Sequence, residues 1–123
     1  MLKVASITFL FAVSSNAMAG DWYKYASTGG YVFYYDRASI QPEDGGKVKM
    51  KDSMKFDSAD IDIRVLDKKW SQDEYDCKNM KYRTVSSTLF GIHEKENSEW
   101  TVVSPKTLGE MKWKIACKKN NMQ

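Results

Sequence analysis

A single histidine, His93, stands in the 123-residue sequence, within Gly91-Ile92-His93-Glu94. As a general base it would need a neighbour to orient the ring and a pocket to hold a substrate. The stretch His93 to Glu99 is charged and reads as a hairpin loop, so a solvated loop histidine is the plainer account. The acidic pairs Asp60/Asp62 and Glu94/Glu96 have strand-face and loop explanations of the same kind. Cys77 and Cys117 are the only cysteines, and with one histidine they cannot close a four-ligand zinc site. No C-x-x-C redox pair, G-x-S-x-G nucleophile turn or phosphate-cradling glycine loop occurs. No catalytic residue, metal ligand or cofactor is assigned, and the chain reads as a binding protein, not an enzyme.

Two groups of residues could make contacts. Lys47, Lys49 and Lys51 alternate with apolar residues, and successive same-face residues of a strand lie about 7 Å apart. Such a ridge would attract an anionic glycan, anionic lipid heads or an acidic protein surface. A solvated strand face, or lysines guarding a sheet edge, is the alternative. The second group is aromatic: seven of the 14 aromatics beyond position 19 lie between Trp22 and Tyr35. Tyr23 and Tyr34, if left outward, would form an interface of the kind rich in tyrosine and tryptophan. Core packing accounts for most of the others. Only Lys24 and Arg37 stand near these rings, so the interleaving that nucleic-acid stacking needs is missing.

What positions these residues begins with the compartment. Lys3 precedes an apolar run from Val4 to Val13, followed by polar Ser14-Ser15-Asn16 and small Ala17 and Ala19. This order is a secretory signal over residues 1–19, cut between Ala19 and Gly20. The apolar run is about half of the ~20 residues a bilayer span requires, so no membrane span is expected. Export makes a Cys77–Cys117 disulfide the expected state, with two buried thiols as the alternative. The remainder, residues 20–123, suffices for one domain. Lys plus Arg number 19 against 16 acids; losing Lys3 leaves +2, an ordinary charge for solubility. The expected location is periplasmic or secreted, with the cell surface as a further option.

Trp22 to Tyr25 and Tyr31 to Asp36 predict a β-hairpin around Gly29-Gly30, after which Asp36 to Ile40 leaves the strand. Val48, Met50, Met54 and Phe56 alternate with Lys47, Lys49, Lys51 and Lys55, and Asp52 breaks the apolar row. Ile61, Ile63 and Val65 alternate likewise, and a register with Phe56 opposite Ile61 sets Met54 on Ile63, Asp52 on Val65 and Lys55 on Asp62. That predicts a second hairpin. Lys81 to Ile92 reads as one long or bent strand, with a return through Trp100 to Val103. Ser104-Pro105 looks like a helix start, and Leu108, Met111 and Ile115 share a helical stripe. Met111 to Cys117 also alternates like a strand, so a final strand is the alternative. The fold class expected is α+β: a small, mostly antiparallel β-sheet domain with a C-terminal helix and one disulfide.

Trp22, Tyr35-Asp36-x-x-Ser39-Ile40, Asp76-Cys77 followed by Arg83, Trp100 leading to Ser104-Pro105-x-Thr107, and Cys117 form an ordered pattern. In it the chain resembles the surface-adhesin protein E-like domain of Gram-negative bacteria over most of Asp21 to Lys118. The resemblance implies an antiparallel sheet with a helix, a Cys77–Cys117 bridge, export, and binding of host extracellular-matrix and serum proteins, with homodimers as a further option. The sequence departs from the founding member in lacking a lipid-bearing cysteine at the cut. A periplasmic inhibitor of a hydrolase such as lysozyme is the alternative function.

Overall fold

The computed structural model describes residues 19–58, 62–96 and 98–121. Among them seven strands form one antiparallel sheet: β1 (Trp22–Thr28), β2 (Tyr31–Glu43), β3 (Lys47–Phe56), β4 (Lys69–Asp76), β5 (Lys81–Leu89), β6 (Ile92–Lys95) and β7 (Thr101–Val102). The first six lie side by side in chain order, and β7 continues the β6 edge by pairing with the start of β5. Helix α1 (Leu108–Asn121) packs across β2 to β5. The α+β expectation holds, and so does the Cys77–Cys117 disulfide, which joins the end of β4 to the last turns of α1.

The aromatic hairpin forms as expected, turning at Gly29 and Gly30, both with positive φ (63° and 83°). Its second strand does not end at Asp36. β2 runs to Glu43 because a bulge absorbs residues 37–40. There Ser39 Oγ accepts the Lys51 amide at 2.8 Å and donates to the Asp36 carbonyl at 2.6 Å, so a side chain replaces the missing ladder bond.

The hairpin predicted between residues 47–56 and 60–65 is absent. Residues 59–61, which carry the Phe56–Ile61 pairing, lie outside the described residues, but the rest of that register is overturned. Met54 faces Phe33, and Asp52 faces Tyr35 on one side and Ser71 on the other. Ile63–Lys68 is a 3₁₀ helix started by Asp62, whose carboxylate accepts the Arg64 amide at 2.9 Å. A capping aspartate and the burial of Leu66 outweigh a three-residue alternation that any strand pattern would match.

Two later expectations also change. The loop expected over His93 to Glu99 begins as strand: β5 ends at Leu89, Phe90 and Gly91 turn with positive φ (46° and 93°), and His93 pairs with Thr88. α1 resolves the helix-or-strand conflict, but Ser104 is not its cap. Thr107 Oγ1 accepts the Glu110 amide at 3.2 Å and Glu110 Oε1 accepts the Lys106 amide at 3.0 Å, a local exchange of the capping-box kind. Gly109, a poor helix former, stands in the first turn, where a Cβ would lie 3.2 Å from the Tyr82 ring.

The core is Val48, Met50, Tyr75, Ala116 and Cys117, with Tyr35, Ile40, Tyr82, Trp113 and Ile115 around it. Trp113 also donates its indole N–H to the Asp76 carbonyl at 3.1 Å. The helix covers only part of the sheet. Val48 and Met50 are fully buried beneath it, whereas Met54 and Phe56, farther along the same face of β3, are 41% and 58% exposed.

Candidate functional site

Strand alternation sends the side chains of β3 to two different environments. On the face turned away from α1, Lys49 and Lys51 border a cleft of about 700 Å³ with Trp70, Gln72, Ser86, His93 and Lys95. Neighbouring strands bring these residues together: Lys51 is opposite Gln72, Gln72 opposite Ser86, and Ser86 opposite Lys95. The Lys51 ammonium sits 4.1 Å from the Trp70 ring centroid, and the His93 ring meets Trp70 edge-on at 6.2 Å. His93 Nδ1 is 2.9 Å from Thr88 Oγ1, which fixes the ring at the rim of the cleft. An aromatic plate flanked by three lysines and by small hydroxyl and amide groups, with Glu96 at one edge, can hold a flat or extended acidic ligand by stacking and charge together.

The lysine row is less uniform than its spacing implies. Lys49 pairs with Glu43 at 3.1 Å, and Lys47 lies opposite both Glu43 and Asp76 in the ladder. Beside Lys49, Arg83 grips Glu74 at 2.9 Å and stacks on Trp100 at 4.5 Å. Burial raises Glu43, and its hydrogen bond to Glu74 raises it further. Burial acts upward on Glu74 too, but bonds from Glu43 and Arg83 outweigh it and hold this carboxyl below its usual range. Lys51 and Lys95 are therefore the cations of the cleft that face no carboxylate within ion-pair distance among the described residues.

The aromatic pair is divided between the two faces. Tyr34 shares the lysine face, opposite Lys24 and Ser53, and is half-buried. Tyr23 lies on the α1 face, stacked on Tyr35 at 6.0 Å with the Arg37 guanidinium 4.6 Å from its ring. Sequence reasoning missed Trp70, Gln72 and Lys95, and it placed His93 in a loop. The period-two run Trp70, Gln72, Glu74 was the available signal; which strands flank it was not.

On the α1 face lies a buried charge cluster. Lys112 of α1 reaches Asp73 at 3.1 Å and Asp52 at 3.4 Å. Asp73 also accepts from Thr84 Oγ1 at 2.9 Å and from the Tyr75 hydroxyl at 3.5 Å, while Asp52 Oδ1 is buried without a donor among the described residues. Burial pushes Asp52 up to about 6, with Asp73 adding to the rise and Lys112 opposing it. Burial works against the Lys112 charge, but Asp52 and Asp73 outweigh it and keep the ammonium above its ordinary value. Burial likewise raises Tyr25, with the Asp52 charge assisting. Every partner of Lys112 is structural, so the cluster fastens the helix to β3 and β4.

Among the described residues, no helix is long and apolar enough to cross a membrane. Among curated proteins and among solved structures, nothing matches this chain. The family pattern of surface-adhesin protein E does match, over residues 22–118, from the first residue of β1 to within α1. The chain thus belongs to the surface-adhesin protein E family.

Proposed function

We propose that this protein is an exported, non-enzymatic binding module that uses the sheet face opposite α1 to hold an acidic segment of a protein partner, either a host extracellular-matrix protein or another protein of the envelope. Family membership supports an adhesin-like role. The observation that carries the choice of face is the cleft in which Lys51 lies over Trp70 with His93 and Lys95 beside it. Lys47 and Lys49 extend the same face, Lys49 paired with Glu43 and Lys47 opposite it in the ladder, so they steer more than they grip.

The test is binding of the oxidised chain to immobilised matrix proteins and to envelope extract over a salt series. Lys51→Ser with Lys95→Ser should flatten the salt dependence, and Trp70→Ala should weaken binding at least tenfold, as loss of a buried aromatic anchor does. Lys47→Ser with Lys49→Ser should slow association and leave dissociation nearly unchanged. Binding that survives all three sets removes this face from the proposal, and binding to neither source removes the protein-partner reading. A heparin column, run in parallel, shows whether the cations suffice for a glycan, and a lysozyme assay reads the inhibitor alternative.

A further inference from the structure

The first residues beyond the predicted leader are held tightly. The Gly20 backbone nitrogen donates to Asp67 Oδ1 at 2.8 Å, and the Trp22 indole N–H donates to the same oxygen at 2.8 Å. Asp21 donates its amide to Asp36 Oδ1 at 2.8 Å, and its carbonyl accepts the Arg37 amide at 2.9 Å. Position 20 has no room for a side chain: a Cβ would lie 2.5 Å from Trp22 Nε1 and 3.0 Å from Asp36 Oδ2. Asp67 sits in the 3₁₀ helix, half-buried, and among the described residues no lysine or arginine reaches it within ion-pair distance. With two N–H donors gathered on it, and with Arg64, whose charge it senses, paired to Asp62 instead, Asp67 is a carboxylate with room for one more positive charge.

We propose that leader removal supplies that charge, making the Asp67 pocket a receptor for the new N-terminus. Water adds across the Ala19–Gly20 amide in the active site of an export-linked peptidase. The C–N bond breaks, Ala19 departs as a carboxylate, and the Gly20 nitrogen leaves as an amine that takes up a proton at neutral pH. The freed ammonium stays on Asp67, where the peptide N–H of Gly20 already points, and fastens the start of β1 to the 3₁₀ helix. Glycine at position 20 serves the pocket, since a side chain there would push Trp22 off Asp67. This rests on the export reading but is independent of what the protein binds.

The experiment compares the native chain collected from the envelope with a variant bearing two extra residues between Ala19 and Gly20, cut ahead of them. That variant keeps the Gly20 N–H for Asp67 and moves only the charge, by about 7 Å. Each is measured alone and with Asp67→Asn. Intact mass should place the native start at Gly20. At about pH 6 the native chain should melt roughly 4 °C above the extended one, the size of shift one added charge-assisted contact gives a domain of this length. The gap should vanish with Asp67→Asn and close at alkaline pH, where an α-ammonium loses its proton. A cut at another residue overturns the proposal alone, and a leader left uncut overturns the export reading with it. A start at Gly20 with equal melting, or with a gap that Asp67→Asn leaves intact, overturns the capture alone.

Discussion

Asp52 interrupts an otherwise apolar row, and its position at the edge of the helix-covered area explains why a charge stands there. It and Asp73 share one cation, Lys112, and one Asp52 oxygen finds no donor among the described residues. Lys112→Met should therefore destabilise the protein by about 3 kcal/mol, because it strands two buried carboxylates, and urea unfolding reads this directly. The pH dependence has a definite sign. A carboxyl raised to about 6 by burial keeps its proton in the folded chain after the unfolded chain has lost it. Folding thus favours the protonated form, and this contribution falls as pH climbs from the ordinary carboxylate range to about 6, then levels. Asp52→Asn should flatten that limb of a urea-midpoint series. An unchanged slope would assign it to another group. The break in the row was visible in the sequence, but its partner stands 60 residues away and could not be named.

Individual elements were legible where local chemistry decides them and illegible where neighbours do. The glycine turn and its aromatic flanks identified the β1–β2 hairpin, and the helical stripe of Leu108, Met111 and Ile115 identified α1. Period-two patterning could not show that Ile63 to Lys68 coils behind an Asp62 cap, nor that β3 pairs with β2 and β4. The Ser104-Pro105 pair pointed to a helix start at Ser104, although Thr107 has the glutamate three residues on that completes the cap. Only Lys49 and Lys51 of the candidate site were foreseen; Trp70, Gln72, His93 and Lys95 join it through strand order. At this scale the disulfide is the strongest single tie. Cys77→Ser with Cys117→Ser should lower stability by about 4 kcal/mol, the chain-entropy value for a closed loop of this length. Comparing oxidised protein with the double variant by denaturant melts checks it.

Across the whole molecule, stability should be uneven because α1 covers only part of one sheet face. Amide exchange should be slowest around Val48, Met50 and Tyr75, fully buried under the helix. It should be markedly faster near Met54, Phe56 and Leu89, where the sheet is bare. Uniform protection along β3 would contradict this division. The neighbour-by-neighbour order of the first six strands has a different consequence, in time. A polypeptide delivered amino end first can zip each strand onto the one before it, since every such pairing is local. The segment carrying Cys117 arrives last, after its sulfur partner has already been set at the rim of a finished platform. Oxidation then acts as a completion mark: the covalent seal closes on chains that have assembled in full.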